Sequence, residues 1–201
     1  VLNNVADNLS RAGQPAEALP LLERALARQP RFAAAANTRG VALLKLGRTD
    51  EAVAALQEAV AWQPGLAEAH YNLGLAESER GRFAAALPHF AQAIALRPQH
   101  AGAQLHRGVA LALDGRIAEA RPHFERAVAL APDSAVVRQT GGRALLEAGE
   151  LDSALAYFRA ALGIDPTLPG LHADLAATLQ RLGRFDEARA HAREAGLGPR
   201  N

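Results

Sequence analysis

The sequence predicts an all-α protein, an α-solenoid of six helix–turn–helix repeats, and three observations carry that prediction. Prolines stand at Pro30, Pro64, Pro98, Pro132 and Pro166, each 34 residues after the last. Glycines keep the same step at Gly13, Gly47, Gly81, Gly115, Gly149 and Gly183. Two alanine series do likewise, from Ala18 to Ala188 and from Ala25 to Ala195, in a chain with 48 alanines among 201 residues. Ala is the best helix former, and its small side chain lets helices approach closely.

The repeats fall at about 1–32, 33–66, 67–100, 101–134, 135–168 and 169–201, read together as one solenoid domain. In the second repeat, Asn37 to Leu46 reads as a first helix that Gly47 ends, because a helix C-terminus often needs a left-handed residue. Thr49 or Asp50 then caps a second helix that runs to about Gln63. Pro64 stops it, lacking an N–H and disfavouring helix in the residue before it. Ala52 and Ala59, seven apart, put a small-residue stripe where the two helices meet. Leu43, Val53, Leu56, Val60 and Trp62 fill the remaining space.

The other repeats vary this scheme. Phe90, Phe124 and Phe158 take the place of Leu56, and Leu96, Leu130 and Ile164 take that of Trp62, which makes Trp62 a core residue. Phe83, Ile117, Leu151 and Phe185 follow the turn glycine by two residues and are expected to plug the hairpin turn. Pro20, Pro88 and Pro122 share one place in the second helices, where each costs a backbone hydrogen bond. Arg39, Arg107 and Glu77 stand at places that are apolar elsewhere. They must reach water along their aliphatic stems or find partners, a Glu77–Arg107 pair being one option. The last second helix, Phe185–Ala195, is more polar than its counterparts, as suits a repeat with no successor to cover it.

Composition narrows the function. The net charge is +1, with 22 basic and 21 acidic residues, so neither nucleic acid nor an acidic membrane surface is an expected partner. No apolar run approaches the ~20 residues of a membrane span. There is no Cys and no Met. The seven histidines follow no metal-binding spacing; His89, His123 and His191 merely share a repeat register, so no metal and no cofactor is expected. No phosphate loop, nucleophile elbow or acid–base pair is visible, so catalysis is not expected. A cytoplasmic location is the simplest expectation, periplasmic if a signal has been removed.

Gly at the eighth and fifteenth places, Ala at the twentieth and twenty-seventh and Pro at the thirty-second of a 34-residue unit resemble the tetratricopeptide repeat. Gly40, Gly74, Gly108 and Gly142 supply the eighth place, and Asn72-Leu73-Gly74 and Asp186-Glu187-Ala188 are similar to family phrases. The resemblance covers essentially the whole chain. It implies a right-handed superhelix whose first helices line a concave groove that binds a peptide or helix of a partner protein.

Carried over by register, that groove includes Asn3, Asn37, Thr38, Val41, Lys45, Tyr71, Asn72, Leu75, His106, Val109, Gln139 and Arg143. Tyr71 is the foremost contact candidate, a rigid amphipathic ring of a type enriched at binding hot spots. Asn4 and Asn72 share a register with Thr38, His106, Thr140 and Asp174, a broken likeness of the asparagine ladder of O-linked N-acetylglucosamine transferases. Asn3, Asn37 and Tyr71 stand where chaperone-tail-binding relatives carry a clamp lysine, so no carboxylate clamp is expected. The chain is thus expected to act as a protein-binding scaffold, with self-association through its end repeats a further option. The alternatives are a targeting arm of a larger enzyme (a glycosyltransferase, hydroxylase or sulfotransferase) or a pilus or secretion assembly factor.

Overall fold

A computed structural model describes residues 1–197. Twelve helices form among the described residues: α1 (Leu2–Arg11), α2 (Pro15–Arg28), α3 (Ala33–Lys45), α4 (Thr49–Trp62), α5 (Ala67–Glu79), α6 (Phe83–Leu96), α7 (Ala101–Leu113), α8 (Ile117–Leu130), α9 (Ala135–Glu147), α10 (Leu151–Ile164), α11 (Leu171–Arg181) and α12 (Phe185–Glu194). They follow the six repeats two by two. The chain divides into two compact units, Val1–Ala103 and Gln104–Asn201.

In the first unit α1 lies on α2, α3 on α4 and α5 on α6. Here α2 also meets α3 and α4 meets α5, and first helices meet one another, α1 with α3 and α3 with α5. In the second unit α9 lies on α10 and α11 on α12, while α8 meets α9, α10 meets α11, and α9 meets α11. Within each unit, neighbouring repeats therefore cover one another's apolar sides, as a solenoid requires.

The tightest contact in a repeat joins its eighth and twenty-fourth places. A Cβ on Gly74 would stand 2.6 Å from a Phe90 ring carbon, one on Gly142 2.6 Å from Phe158, and one on Gly40 2.5 Å from Leu56. Phe90, Phe158 and Leu56 are fully buried, each worth ~1.5–3 kcal/mol over an exposed side chain. Glycine is needed here because the largest side chain of the second helix rests on the first helix's backbone. Ala6 holds the same place in the first repeat and packs in one cluster with Leu22.

Gly47 does a different job. It has φ +71 at the end of α3. Its N–H donates to the Leu44 carbonyl at 2.9 Å, and the Arg48 N–H donates to the Leu43 carbonyl at 2.9 Å. These two bonds are the Schellman pattern, which satisfies carbonyls that the helix end would otherwise orphan.

The start of α4 differs from expectation. Thr49 is its first residue, Arg48 is the N-cap, and no side chain caps it. Arg48 instead grips Glu51 with two hydrogen bonds of 2.7 Å. Arg116 holds Glu119, and Arg184 holds Glu187, in the same way. The carboxylate sits over the positive first turn, and the Arg48 guanidinium holds the Glu51 carboxyl below its ordinary range.

Trp62 packs with Ala36, Ala59 and Ala69, as its register indicated. Phe185 does not plug its turn: it is 59% exposed, at the start of α12. Arg39 reaches Glu58 at 2.7 Å on the surface. Glu77 does not snorkel. It is buried, 3.9 Å from both Arg80 and Arg82 and beyond hydrogen-bond reach of either. Arg107 is half-buried, and its Nε makes no hydrogen bond among the described residues.

Candidate binding face

In the first unit the first helices α1, α3 and α5 lie side by side and present the groove registers. Between α1 and α3 is an open cavity of about 480 Å³ lined by Asn3, Asn4, Asp7, Asn8, Asn37 and Thr38, among others. The Asn3 Oδ1 atom is buried and accepts no hydrogen bond among the described residues. Thr38 is already satisfied, donating to the Ala34 carbonyl of its own helix at 2.9 Å. Asn37 accepts a hydrogen bond of 2.9 Å from the Asn72 side-chain amide of α5.

The remaining residues of this unit divide between surface and support. Val41 and Leu75 are half-buried on the same helices. Lys45 is tied inward: its Nζ donates to the Ser10 carbonyl at 2.6 Å, in the last turn of α1. A cation there satisfies an orphan carbonyl and suits the negative helix end. Tyr71 is packed more than displayed. Its ring centroid lies 4.6 Å from His100 and 6.1 Å from Phe90. Burial, with a smaller contribution from Glu68, pushes its hydroxyl pKa up to about 12. His100 in turn accepts the Ala103 N–H at Nδ1, which fixes the ring's orientation.

In the second unit His106 and Val109 are half-buried. Gln139 is buried, and its Nε2 donates to Asp174 Oδ2 at 2.8 Å and to the Pro169 carbonyl at 3.1 Å. Arg143 meets the same carboxylate, its Nε lying 3.0 Å from Oδ1 and 2.8 Å from Oδ2. Asp174 thus joins two groove residues of α9 to α11. By register alone it is only a substitute in the asparagine series.

These contacts obey a rule of spacing. Asn37 to Asn72 and Gln139 to Asp174 are both steps of 35, from the fifth place of one repeat to the sixth of the next. Lys45 to Ser10 and Arg181 to the Leu146 carbonyl are also steps of 35, from the thirteenth place back to the twelfth. Polar groove residues therefore serve first as rungs between repeats. A search of the sequence at 35 residues instead of 34 would have found them.

A tetratricopeptide-repeat family model matches residues 6–67 and 71–135, and a second model of the same description matches residues 145–197. The chain belongs to the tetratricopeptide repeat family. Such repeats typically mediate protein–protein interactions. No curated protein matches the chain at a significant level. Among solved structures it is similar to PilW, a widely conserved type IV pilus biogenesis factor, at 22% identity and a TM-score of 0.87, over 96% of this chain and 90% of PilW. A thermophilic tetratricopeptide repeat protein of Thermus thermophilus, TTC0263, is 28% identical with a TM-score of 0.73, over 89% of this chain and 97% of its own. MamA is 25% identical with a TM-score of 0.68, over 81% of this chain and 95% of its own. Among the described residues no helix of this tetratricopeptide repeat protein is long and apolar enough to cross a membrane.

Proposed function

We propose that this tetratricopeptide repeat protein is a non-catalytic scaffold that holds an extended segment of a partner protein along its first helices. The observation that carries this reading is the cavity between α1 and α3, where several asparagine side chains converge. A carboxamide both donates and accepts, so a cluster of them matches the alternating N–H and C=O groups of a peptide backbone. Asp7 and Arg11 at the rim lie 3.0 Å apart and offset one another, and Glu68, which also lines the cavity, is paired with Arg97. Val41 and Leu75 continue the face as apolar seats for the partner's side chains. Tyr71 and Asn72 stand further along, Asn72 braced by Asn37.

Selection from a random peptide library, followed by measured affinity of the selected peptides, tests this reading. Asn3→Ala/Asn37→Ala is expected to weaken binding on the order of 10-fold or more, since each lost backbone hydrogen bond is worth ~0.5–1.5 kcal/mol. Tyr71→Ala/Asn72→Ala is expected to weaken peptides that extend past the cavity. Peptides that bind both double variants as well as the original chain would place the binding surface elsewhere.

A further inference from the structure

The fourth place of each first helix faces the twenty-third place of the second, 19 residues on, and in several repeats the pair carries an imidazole. His70 stacks on His89 with ring centroids 5.9 Å apart. Gln104 Oε1 meets His123 Nδ1 at 2.7 Å. In the last hairpin His172 of α11 and His191 of α12 meet with Nδ1 to Nδ1 at 3.0 Å and ring centroids 5.1 Å apart. The last pair is different in kind. Two imidazole nitrogens point at one spot, and a single proton is the most that spot holds in the absence of another cation.

We propose that His172 and His191 form a two-imidazole clasp for a divalent transition-metal ion of the zinc, copper or nickel class. The geometry supports this. A metal–nitrogen bond of ~2.0–2.1 Å at a tetrahedral or right angle places two ligand nitrogens about 2.9–3.4 Å apart. The observed 3.0 Å lies in that range. The ion takes the place of the proton shared between the two Nδ1 atoms; the donor ring carries its proton on Nε2 instead, so that both imidazoles bind the ion neutral.

The surroundings suit an ion that keeps water ligands. His172 and Glu194 line an open cavity of about 390 Å³ beside the α10–α11 connection, which gives room for water to complete the shell. Among the described residues no group of three or more His, Cys, Asp or Glu is arranged to hold a metal, so the clasp is an exchangeable site and not a closed structural one. Charged groups facing His191 are Arg159, Glu187 and Glu194. Arg159 is paired with Glu187 at 3.1 Å, which offsets its repulsion of a cation. His70 is less suited, because its Nε2 is engaged by the Pro64 carbonyl at 3.0 Å and its Nδ1 is buried. A bound ion would pin α11 to α12, a helix with a single buried residue, Ala188.

The test is a calorimetric titration of the untagged full chain with zinc chloride. His172→Gln and His191→Gln are titrated beside it, with circular dichroism to verify helix content. His172→Gln is expected to fold, because Gln104 opposite His123 is that same pairing in another repeat. The expected result is one zinc ion per chain, weakened on the order of 10-fold or more in each variant, since losing a direct ligand costs at least what losing a supporting contact does. His70→Gln is expected to bind as the original chain does. No binding to the original chain, or binding that survives in either folded clasp variant, would overturn the proposal.

Discussion

Asn72 donates its side-chain amide to Asn37 Oδ1 at 2.9 Å, joining α5 to α3 one repeat earlier. Gln139 and Asp174 make the equivalent bond in the second unit, with a charged acceptor. Repeats that share no covalent bond beyond their loop are thus keyed to one another by a polar rung as well as by apolar contact.

The rung has a measurable strength. A double-mutant cycle of Asn37→Ala and Asn72→Ala, followed by chemical unfolding, should give a coupling of ~0.5–1.5 kcal/mol. For Gln139→Ala and Asp174→Ala the value should be larger, ~1.5–3 kcal/mol, because the acceptor is ionised. A coupling of zero in both cycles would mean that the bonds are incidental to stacking.

Gly74→Ala should destabilise the third repeat by ~1–3 kcal/mol, the usual cost of forcing a methyl group into a filled core. The added Cβ would stand 2.6 Å from the Phe90 ring, which is itself fully buried. Pairing the change with Phe90→Leu should recover part of the loss, measured by the same unfolding experiment. Equal stability of Gly74→Ala and the original chain would show that the second helix moves aside freely.

Acid should loosen the fold through three histidines. His89, His123 and His191 are held below the ordinary histidine value, each first by burial. His70 adds to the effect at His89, Arg107 at His123, and His172 and Arg159 at His191, against opposing carboxylates. As pH falls through about 6.5 the unfolded chain takes up these protons first, so stability present above that pH declines as it falls toward the folded values. Unfolding midpoints measured across that window should drop, and His89→Gln/His123→Gln should flatten the slope.

Alkali should act through Tyr71. Its folded pKa of about 12 lies above the ordinary ~10, so its contribution is complete below ~10 and is lost as pH rises through the folded value. Burial raises Tyr157 as well, so tyrosinate absorbance should show both rings titrating above the ordinary value, with the component near 12 absent in Tyr71→Phe. An early titration of both tyrosines would mean that Tyr71 is open to solvent.

What the sequence disclosed, and what it withheld, follows from how each contact is encoded. Gly47 and Pro64 were legible because one residue type alone satisfies a backbone demand, and the demand recurs every 34 residues. Gly74 against Phe90 was legible as a register, though its closeness appears only in space. The Arg48–Glu51 grip was missed because Thr49 offered a more familiar cap. The Asn37–Asn72 and Gln139–Asp174 rungs were missed because they link unlike places across unlike repeats. Lys45 and Arg143 carried the chemistry of a binding face, and the Ser10 carbonyl and Asp174 that engage them lie 35 and 31 residues away.

The two glycines of a repeat can be told apart with mirror-image chemistry. No atom lies within 4 Å of a Cβ built on Gly47, yet its φ is +71. That position therefore rejects an ordinary alanine through its chirality and not its bulk. D-alanine placed there by chemical ligation would sit without strain and, by restricting the unfolded chain, would make the turn firmer than nature left it.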